Sequence, residues 1–413
     1  MKKILIVEDD AIVASIYRSK LQNEGYEVEI VADGEKAIAE LKTAPPDLVL
    51  LDLGLPKING VDVLKAIRSN PATASVGVIV LSNSYVTSLV QAAWKAGANK
   101  CLSKADTTPR LLVDIIHGMF VAGAARAAGS ANAESEATAR SAIAGSVKGT
   151  APSVALPTSS DALFQSSVRL ALLGNAPGFI EDLRKRLKIL GQQSGAAQAS
   201  ADLFDFYRAV HSLTGYAGSA GFSSVAHLSA ALEALLKELH EKPKKIGLSP
   251  VRTVAQAIDS LARLFDQERL PHPDEQPPPL ILVVDDDLIA RRTFCSALDK
   301  AHLRSISLDD PVVALRLLEE NSFDLIFSDV EMPAMNGFDF CAKVRGLPQH
   351  KCTPLVFVTS LADFENRARS ALSGGTDLIA KPFLLVELAV KALTYVLRKP
   401  ATTAQPSGAS TGP

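Results

Sequence analysis

Four cysteines in 413 residues, with no C-x-x-C pair among them, are too few and too scattered for a disulfide framework or a cysteine zinc site. Cys101, Cys295, Cys341 and Cys352 read as reduced thiols. Net charge is equally scarce, at a formal −2. A nucleic-acid surface, which favours a strongly basic domain, is not expected. Long apolar runs are missing too. The opening "MKKILIVEDD" meets acids after four apolar residues, too short for an export segment. No run elsewhere approaches the roughly 20 residues needed to span a bilayer. The expectation is a cytoplasmic protein that acts on neither membrane nor nucleic acid. No H-x₃-H or H-E-x-x-H pair marks the seven histidines as metal ligands. Neither a kinase ATP-binding motif nor a helix-turn-helix or cyclase output domain is seen, so a catalytic enzyme is not expected.

What is present is a hydrophobic fraction of 47%, ample for packing, in a chain long enough for about two to four domains. Residues 122–160 are rich in Ala, Ser, Gly and Thr and read as a flexible linker, since they bury too little to offset ordering entropy. Residues 271–279, "PHPDEQPPP", read as a stiff extended one. Residues 400–413 read as a frayed tail. Between these lie three blocks: 1–121, 161–270 and 280–399.

The first block alternates short apolar runs ("ILIV", "VEIV", "LVLL", "VGVIVL", "KCL") with amphipathic stretches such as "GEKAIAELK". Strands alternating with helices predict a doubly wound, five-stranded parallel sheet covered on both faces. The third block has the same pattern in "LILVV", "RSIS", "DLIFS", "PLVFVTS" and "DLIA". The likeness holds in register. Glu8 maps to Asp285, Asp52 to Asp329, Pro56 to Pro333, Gly60 to Gly337, Ser82 to Thr359 and Lys104 to Lys381, each 277 residues apart. A register kept without insertion over that span marks two copies of one domain.

The middle block has no strand pattern. Apolar residues recur at three and four, as at Phe179, Leu183, Leu187 and Leu190, or Leu228, Leu232, Leu235 and Leu239. Helices are predicted over 177–193, 202–219, 223–241 and 250–269, with a further short one starting at Asp161. Four such helices predict an all-α antiparallel bundle.

In an open parallel sheet the reactive crevice lies beyond the carboxyl ends of the strands. That plan brings Glu8, Asp9, Asp52, Ser82 and Lys104 to one rim, and Asp285, Asp286, Asp329, Thr359 and Lys381 to the other. Three carboxylates so close repel one another. One pair at about 4 Å costs roughly 4 kcal/mol at an effective dielectric near 20. A hard cation removes that cost, and Mg²⁺ takes carboxylate oxygens while keeping room for a phosphate. The lysine and the hydroxyl then complete a phosphoryl clamp around a nucleophilic Asp. A solvated acidic loop is the bland alternative for "VVDDD" alone, but five positions repeated in register argue against it.

These motifs, namely the acidic pair, D-x-x-[LM]-P-x-x-x-G, the Ser/Thr and the Lys, make both blocks resemble response-regulator receiver domains of two-component signalling. The resemblance implies a flavodoxin-like fold and phosphorylation at Asp52 and Asp329. It also implies Mg²⁺ held by Glu8, Asp9 and Asp52 in one copy and by Asp285, Asp286 and Asp329 in the other. Ser82, Lys104, Thr359 and Lys381 would steady the phosphoryl group. The first copy departs from the family in having Ala105, not Pro, after its lysine. Cys101 and Leu378 stand where receivers commonly carry an aromatic switch residue.

In the middle block "RAVHSLTGYAGSAGF" holds His211, with Gly215 and Gly218 one and two turns on. A mid-helix glycine costs about 1 kcal/mol relative to alanine, and clearance for another protein to approach the ring is a reason to tolerate it. His227, in an apolar pattern, reads as structural. The block resembles a histidine phosphotransfer (HPt) domain, which presents one exposed His on a four-helix bundle. The resemblance makes His211 the phosphoacceptor. A neutral imidazole can attack an aspartyl phosphate. The family motif H-x-L-K-G has Thr214 in place of Lys, and Arg208, one turn before His211, is the expected substitute.

The reading is a phosphorelay protein: receiver, phosphotransfer bundle, receiver. Its partners would be a sensor histidine kinase or other receiver or HPt proteins, and a receiver-mediated dimer is possible. One alternative is a scaffold of the same modules that transfers nothing. Another is a Mg²⁺-dependent Asp phosphatase, disfavoured because Gly54 and Glu331 stand where a D-x-D motif would have its second Asp.

Overall fold

The structure is a computed structural model and describes residues 1–83, 87–129, 159–190, 196–269, 277–359 and 373–398. The chain separates into two compact units, residues 1–175 with 211–226 and residues 176–210 with 227–413.

The first unit is built on a parallel sheet of β1 (Lys3–Val7), β2 (Glu27–Val31), β3 (Leu48–Asp52), β4 (Gly77–Ser82) and β5 (Lys100–Ser103), in the order β2-β1-β3-β4-β5. Strand residues alternate between two cores, as a period of two requires. Leu5, Val7, Val49, Leu51, Val78 and Val80 face one side, where Ala37, Leu41, Leu64 and Ile67 cover them. Ile4, Ile6, Leu48, Leu50, Ile79 and Leu81 face the other, under Val13, Tyr17, Leu21, Leu112 and Ile116. These covering residues belong to α2 (Gly34–Thr43) and α3 (Gly60–Ser69) on one face, and to α1 (Ala11–Asn23) and α5 (Pro109–Gly129) on the other; α4 (Thr87–Lys95) adds Ala93 to the first face. Each fully buried Leu, Ile or Val contributes about 1.5–3 kcal/mol, so both faces are held by packing rather than by propensity. Helix α5 runs into the segment expected as a linker. The rest of that segment up to residue 158, residues 271–276 and the tail from 399 lie outside the described residues.

The unit also holds the start of α6 (Ser159–Leu190), the end of α7 (Ala196–Ala220) and the first turn of α8 (Ser223–Glu241). Lys20 on α1 forms an ion pair with Asp161 on α6, and Arg110 on α5 approaches the same carboxylate at 3.7 Å. Gln165 donates to the Ser219 carbonyl at 3.2 Å, and the Arg169 guanidinium lies 4.3 Å from the Phe222 ring centre.

The middle block is corrected in one respect. The two helices expected around Asp161 and Pro177 are one helix, α6, with Pro177 inside it. Proline removes one backbone donor, yet the buried positions Val168, Leu172, Ala176, Ile180 and Leu183 continue across it with helical spacing. Burial along that face outweighs the lost hydrogen bond.

The second unit repeats the sheet with β6 (Leu280–Val284), β7 (Arg304–Leu308), β8 (Leu325–Asp329), β9 (Leu355–Thr359) and β10 (Asp377–Ala380), in the order β10-β9-β8-β6-β7. Here α9 (Leu248–Gln267) precedes the sheet, whose described helices are α10 (Leu288–Lys300), α11 (Pro311–Glu320), α12 (Gly337–Gly346) and α13 (Leu385–Val396). Residues 360–372 lie outside the described residues. Small details recur at the same offset. Asp10 and Asp287 cap α1 and α10, and Arg68 and Arg345 donate to the carbonyls of Gly97 and Gly374 at 2.9 Å.

Within this unit α9 packs on α13 through buried and half-buried polar groups. Ser249 and Thr253 donate to Glu387 at 2.5 and 3.1 Å, and Lys391 donates to Gln256 at 2.6 Å. Lys391 also forms an ion pair with Asp377 at the start of β10. The Tyr395 hydroxyl donates to the same Asp377 carboxylate at 2.9 Å.

Candidate functional site: two acid pockets and a histidine

Each acid pocket forms where β-strands end and chains turn. Asp52 is the last residue of β3, and Gly60 opens α3 directly beneath it. A Cβ on Gly60 would stand 2.1 Å from the Asp52 carbonyl oxygen, so only glycine lets the loop close there. Gly337 has the same 2.1 Å relation to Asp329. This accounts for the spacing between the acid and the glycine in the sequence motif. Glu8 and Asp285 follow β1 and β6; Ser82 and Thr359 end β4 and β9; Lys104 and Lys381 follow β5 and β10. The backbone N–H groups of Lys104 and Lys381 donate to the Ser82 and Thr359 carbonyls at 2.9 and 2.8 Å, which extends each edge to its lysine.

In the first pocket the Lys104 Nζ lies 2.9 Å from Glu8 Oε2 and 3.2 Å from Asp52 Oδ2. Placement of this lysine does not require the missing proline. Burial pushes Glu8 up to about 7, with Lys104 opposing the rise. Burial also presses Asp52 upward, but Lys104 and His211 outweigh it and hold this carboxyl below the usual range.

The fourth member of this pocket is His211. Its Nε2 lies 3.1 Å from Lys104 Nζ and 3.5 Å from Asp52 Oδ2. Glu8, Asp9, Asp52 and His211 each place a ligand-type atom within 4.8 Å of the others. The expectation of an exposed histidine is therefore corrected: the ring is buried in the acid pocket of the same unit. The glycines do provide clearance, and the occupant is this chain. A Cβ on Gly218 would lie 1.9 Å from the Lys104 carbonyl oxygen, and one on Gly215 would lie 2.8 Å from Val13. Ala105, in the place of the usual proline, is buried under Gly218, whose Cβ would come within 3.3 Å of its Cα. Thr214 is buried. Lys104 is a cation beside the ring, which the sequence pattern of the bundle could not reveal; Arg208, one turn earlier, is exposed.

The second pocket gathers Asp285, Asp286 and Asp329 within 4.8 Å, with no histidine in that described cluster. Lys381 Nζ lies 3.0 Å from Asp285 and 2.8 Å from Asp329. Burial raises Asp285 above its ordinary value despite Lys381. Burial works to lower Lys381, but its hydrogen bonds to Asp329 and Asp285 prevail and hold it above the usual lysine value. Thr359 is buried and Asp286 is exposed. All-oxygen acid sets of this kind suit a hard cation.

Two sheets of this order, each with an acid triad, a hydroxyl and a lysine at one rim, define a class. The response regulator receiver domain model matches residues 4–116 and 281–393, together more than half of the sequence. The chain belongs to the response regulator receiver family. The Hpt domain model matches residues 176–264 between the two. The sequence is 35% identical over 103 residues to the DNA-binding response regulator MtrA of Mycobacterium tuberculosis strain H37Rv, covering 25% of this chain and 44% of that protein. It is 39% identical over 85 residues to the response regulator ArlR of Staphylococcus saprophyticus, covering 21% of this chain and 39% of that one. The chain thus spans less than half the length of either relative. Among solved structures, the chemotaxis response regulator CheY4 of Vibrio cholerae matches at 32% identity and a TM-score of 0.28, covering 29% of this chain and 99% of CheY4. Among the described residues no helix is long and apolar enough to cross a membrane.

Proposed function

We propose that this chain is a phosphorelay protein in which Asp52 and His211 exchange a phosphoryl group within one molecule, and in which Asp329 is a second acceptor. The observation that carries this reading is the 3.5 Å separation of His211 Nε2 and Asp52 Oδ2. The tautomer protonated on Nδ1 carries its lone pair on Nε2, the nitrogen that faces Asp52. In the exchange it forms an N–P bond, the P–O bond to Asp52 breaks, and the electron pair returns to the carboxylate. Lys104 lies beside both end states, so its charge offsets the phosphoryl group on either side and supplies the cation that the bundle motif lacks. Glu8, Asp9 and Asp52, and likewise Asp285, Asp286 and Asp329, would hold Mg²⁺, which would neutralise the transferring phosphoryl oxygens. Ser82 and Thr359 stand at the strand ends where a hydroxyl can donate to that group. Sensor kinases and other receiver or phosphotransfer proteins are the partners this chemistry fits.

The test is phosphorylation of the full chain by a small phosphodonor with Mg²⁺, with Asp52→Ala, Asp329→Ala and His211→Ala in parallel. Wild type is expected to acquire both alkali-labile acyl phosphate and acid-labile phosphohistidine. Asp52→Ala is expected to lose phosphohistidine along with its own acyl phosphate; phosphohistidine persisting at the wild-type level would reject the route.

Metal binding gives a second expected result. Mg²⁺ at about 100 times its dissociation constant should stabilise the fold that binds it by about 2.7 kcal/mol. The single tryptophan, Trp94 on α4, reports the first unit. Its unfolding midpoint should rise with Mg²⁺ and should stop responding in a Glu8→Gln, Asp9→Asn double variant.

A further inference from the structure

The two rims are alike, but their surroundings are not. In the first pocket the side chains of Lys104 and Asp52 are 1% and 2% exposed. In the second those of Lys381 and Asp329 are 25% and 10% exposed. The ring of His211 accounts for part of the difference, since it lies against both Lys104 and Asp52. Helix α7 also covers α1, where Val13 lies under Gly215 and is 1% exposed. Ala11, Ile12, Ser15 and Ile16 share a groove with Phe164, Val168 and Tyr216 of α6 and α7. The position 277 residues on from Val13 is Ala290, which is only half-buried. A clasp holds the first arrangement at its edge, where Asp161 meets Lys20 and Arg110. Glycines at 215 and 218 permit the close approach.

Resting on the assignment of Asp52 and Asp329 as acceptors, we infer that His211 is also a plug. Its docked helix closes the Asp52 pocket to phosphodonors in solution, so that external phosphoryl groups enter at Asp329. Asp52 accepts from outside only in the fraction of molecules whose α7 has withdrawn. In that step the donor P–O bond breaks, a carboxylate oxygen of the aspartate forms the new P–O bond, and the donor leaves as its anion. A pocket open for a fraction of the time reacts in proportion to that fraction, so opening about one molecule in ten slows labelling about tenfold.

The experiment is a time course with acetyl phosphate and Mg²⁺ on the full chain. Borohydride trapping identifies acyl phosphate sites, and phosphohistidine at 211 is counted with Asp52, which feeds it. Wild type should label Asp329 at least about tenfold faster than Asp52 plus His211. Two variants should open the plug by different means. Asp161→Ala removes the clasp, and Gly218→Val drives a side chain into the Lys104 carbonyl. In each, the first pocket should approach the rate of the second, with Asp329 unchanged. Equal labelling of both pockets in wild type overturns the plug. So does a wild-type difference that survives in both variants. If neither aspartate labels in any protein, the acceptor assignment itself fails, a distinct outcome. Should Gly218→Val not fold, Asp161→Ala decides alone, since its change lies at an edge.

Discussion

Lys104→Met should destabilise the first unit by about 3–5 kcal/mol when divalent cations are chelated, because it leaves buried carboxylates without their counter-charge. The Lys104 side chain is 1% exposed and lies within 3.2 Å of both Glu8 and Asp52. Without it Glu8, Asp9 and Asp52 remain crowded within 4.8 Å, and burial already pushes Glu8 upward. Methionine keeps most of the packing of the lysine stem, so the loss isolates the charge. Saturating Mg²⁺ should restore much of it by replacing one cation with another. Urea unfolding followed through Trp94 measures the effect in the first unit. Lys381→Met provides the contrast. That side chain is 25% exposed, solvent screens it, and removing it should cost about 1 kcal/mol or less. Equal losses in the two variants would contradict the burial argument.

The second large effect is expected at the α9–α13 contact. Asp377→Ala should destabilise the second unit by about 3–5 kcal/mol, since it strands the Lys391 ammonium in a buried setting. The Asp377 and Lys391 side chains are 0% and 1% exposed, and Arg252 lies 3.4 Å from the same carboxylate. Burial opposes ionisation of Asp377, but Lys391 outweighs it and the carboxyl lies below its ordinary value of 3.8. Burial presses Lys391 down more strongly than Asp377 raises it. The Tyr395 hydroxyl also donates to Asp377, and Lys391 also donates to Gln256, hydrogen bonds that favour the charged form of each partner. For a carboxylate lowered on folding, the stabilisation is present above pH 3.8 and is lost as the pH falls through the folded value. Replacing both partners, Asp377→Leu with Lys391→Met, should recover most of the loss. Hydrogen exchange of α9 and α13 gives the measurement, and the Trp94 transition should stay unchanged.

Much of this was legible in the sequence because it depends on local order. Alternating apolar runs gave the strands, and carboxyl-edge geometry gave the rim. The 277-residue register showed that Asp329 and Lys381 repeat Asp52 and Lys104. The middle block was harder. Pro177 reads as a helix start by local rules, yet a buried face decided that α6 continues. Gly215 and Gly218 correctly signalled a close approach to the His211 face. Their occupants, Val13 and the Lys104 carbonyl, lie some 200 and 114 positions away in sequence, and no periodicity encodes such a contact. Ala105 was the available clue: a small residue at the lysine turn of one copy alone leaves room for α7.

The duplicated scaffold supplies a comparison inside every molecule. Both aspartates face the same buffer, temperature and donor, on strands and loops of matching length. A difference in how fast they gain or shed phosphorus therefore traces to the few positions where the copies differ. At the rim these are Glu8 against Asp285 and Ser82 against Thr359; around it they are an imidazole and its helix over one aspartate, and Glu331 two residues beyond the other. Exchanging residues 105 and 382, or 54 and 331, between copies would transplant those surroundings one at a time while the rest of the chain serves as its own reference.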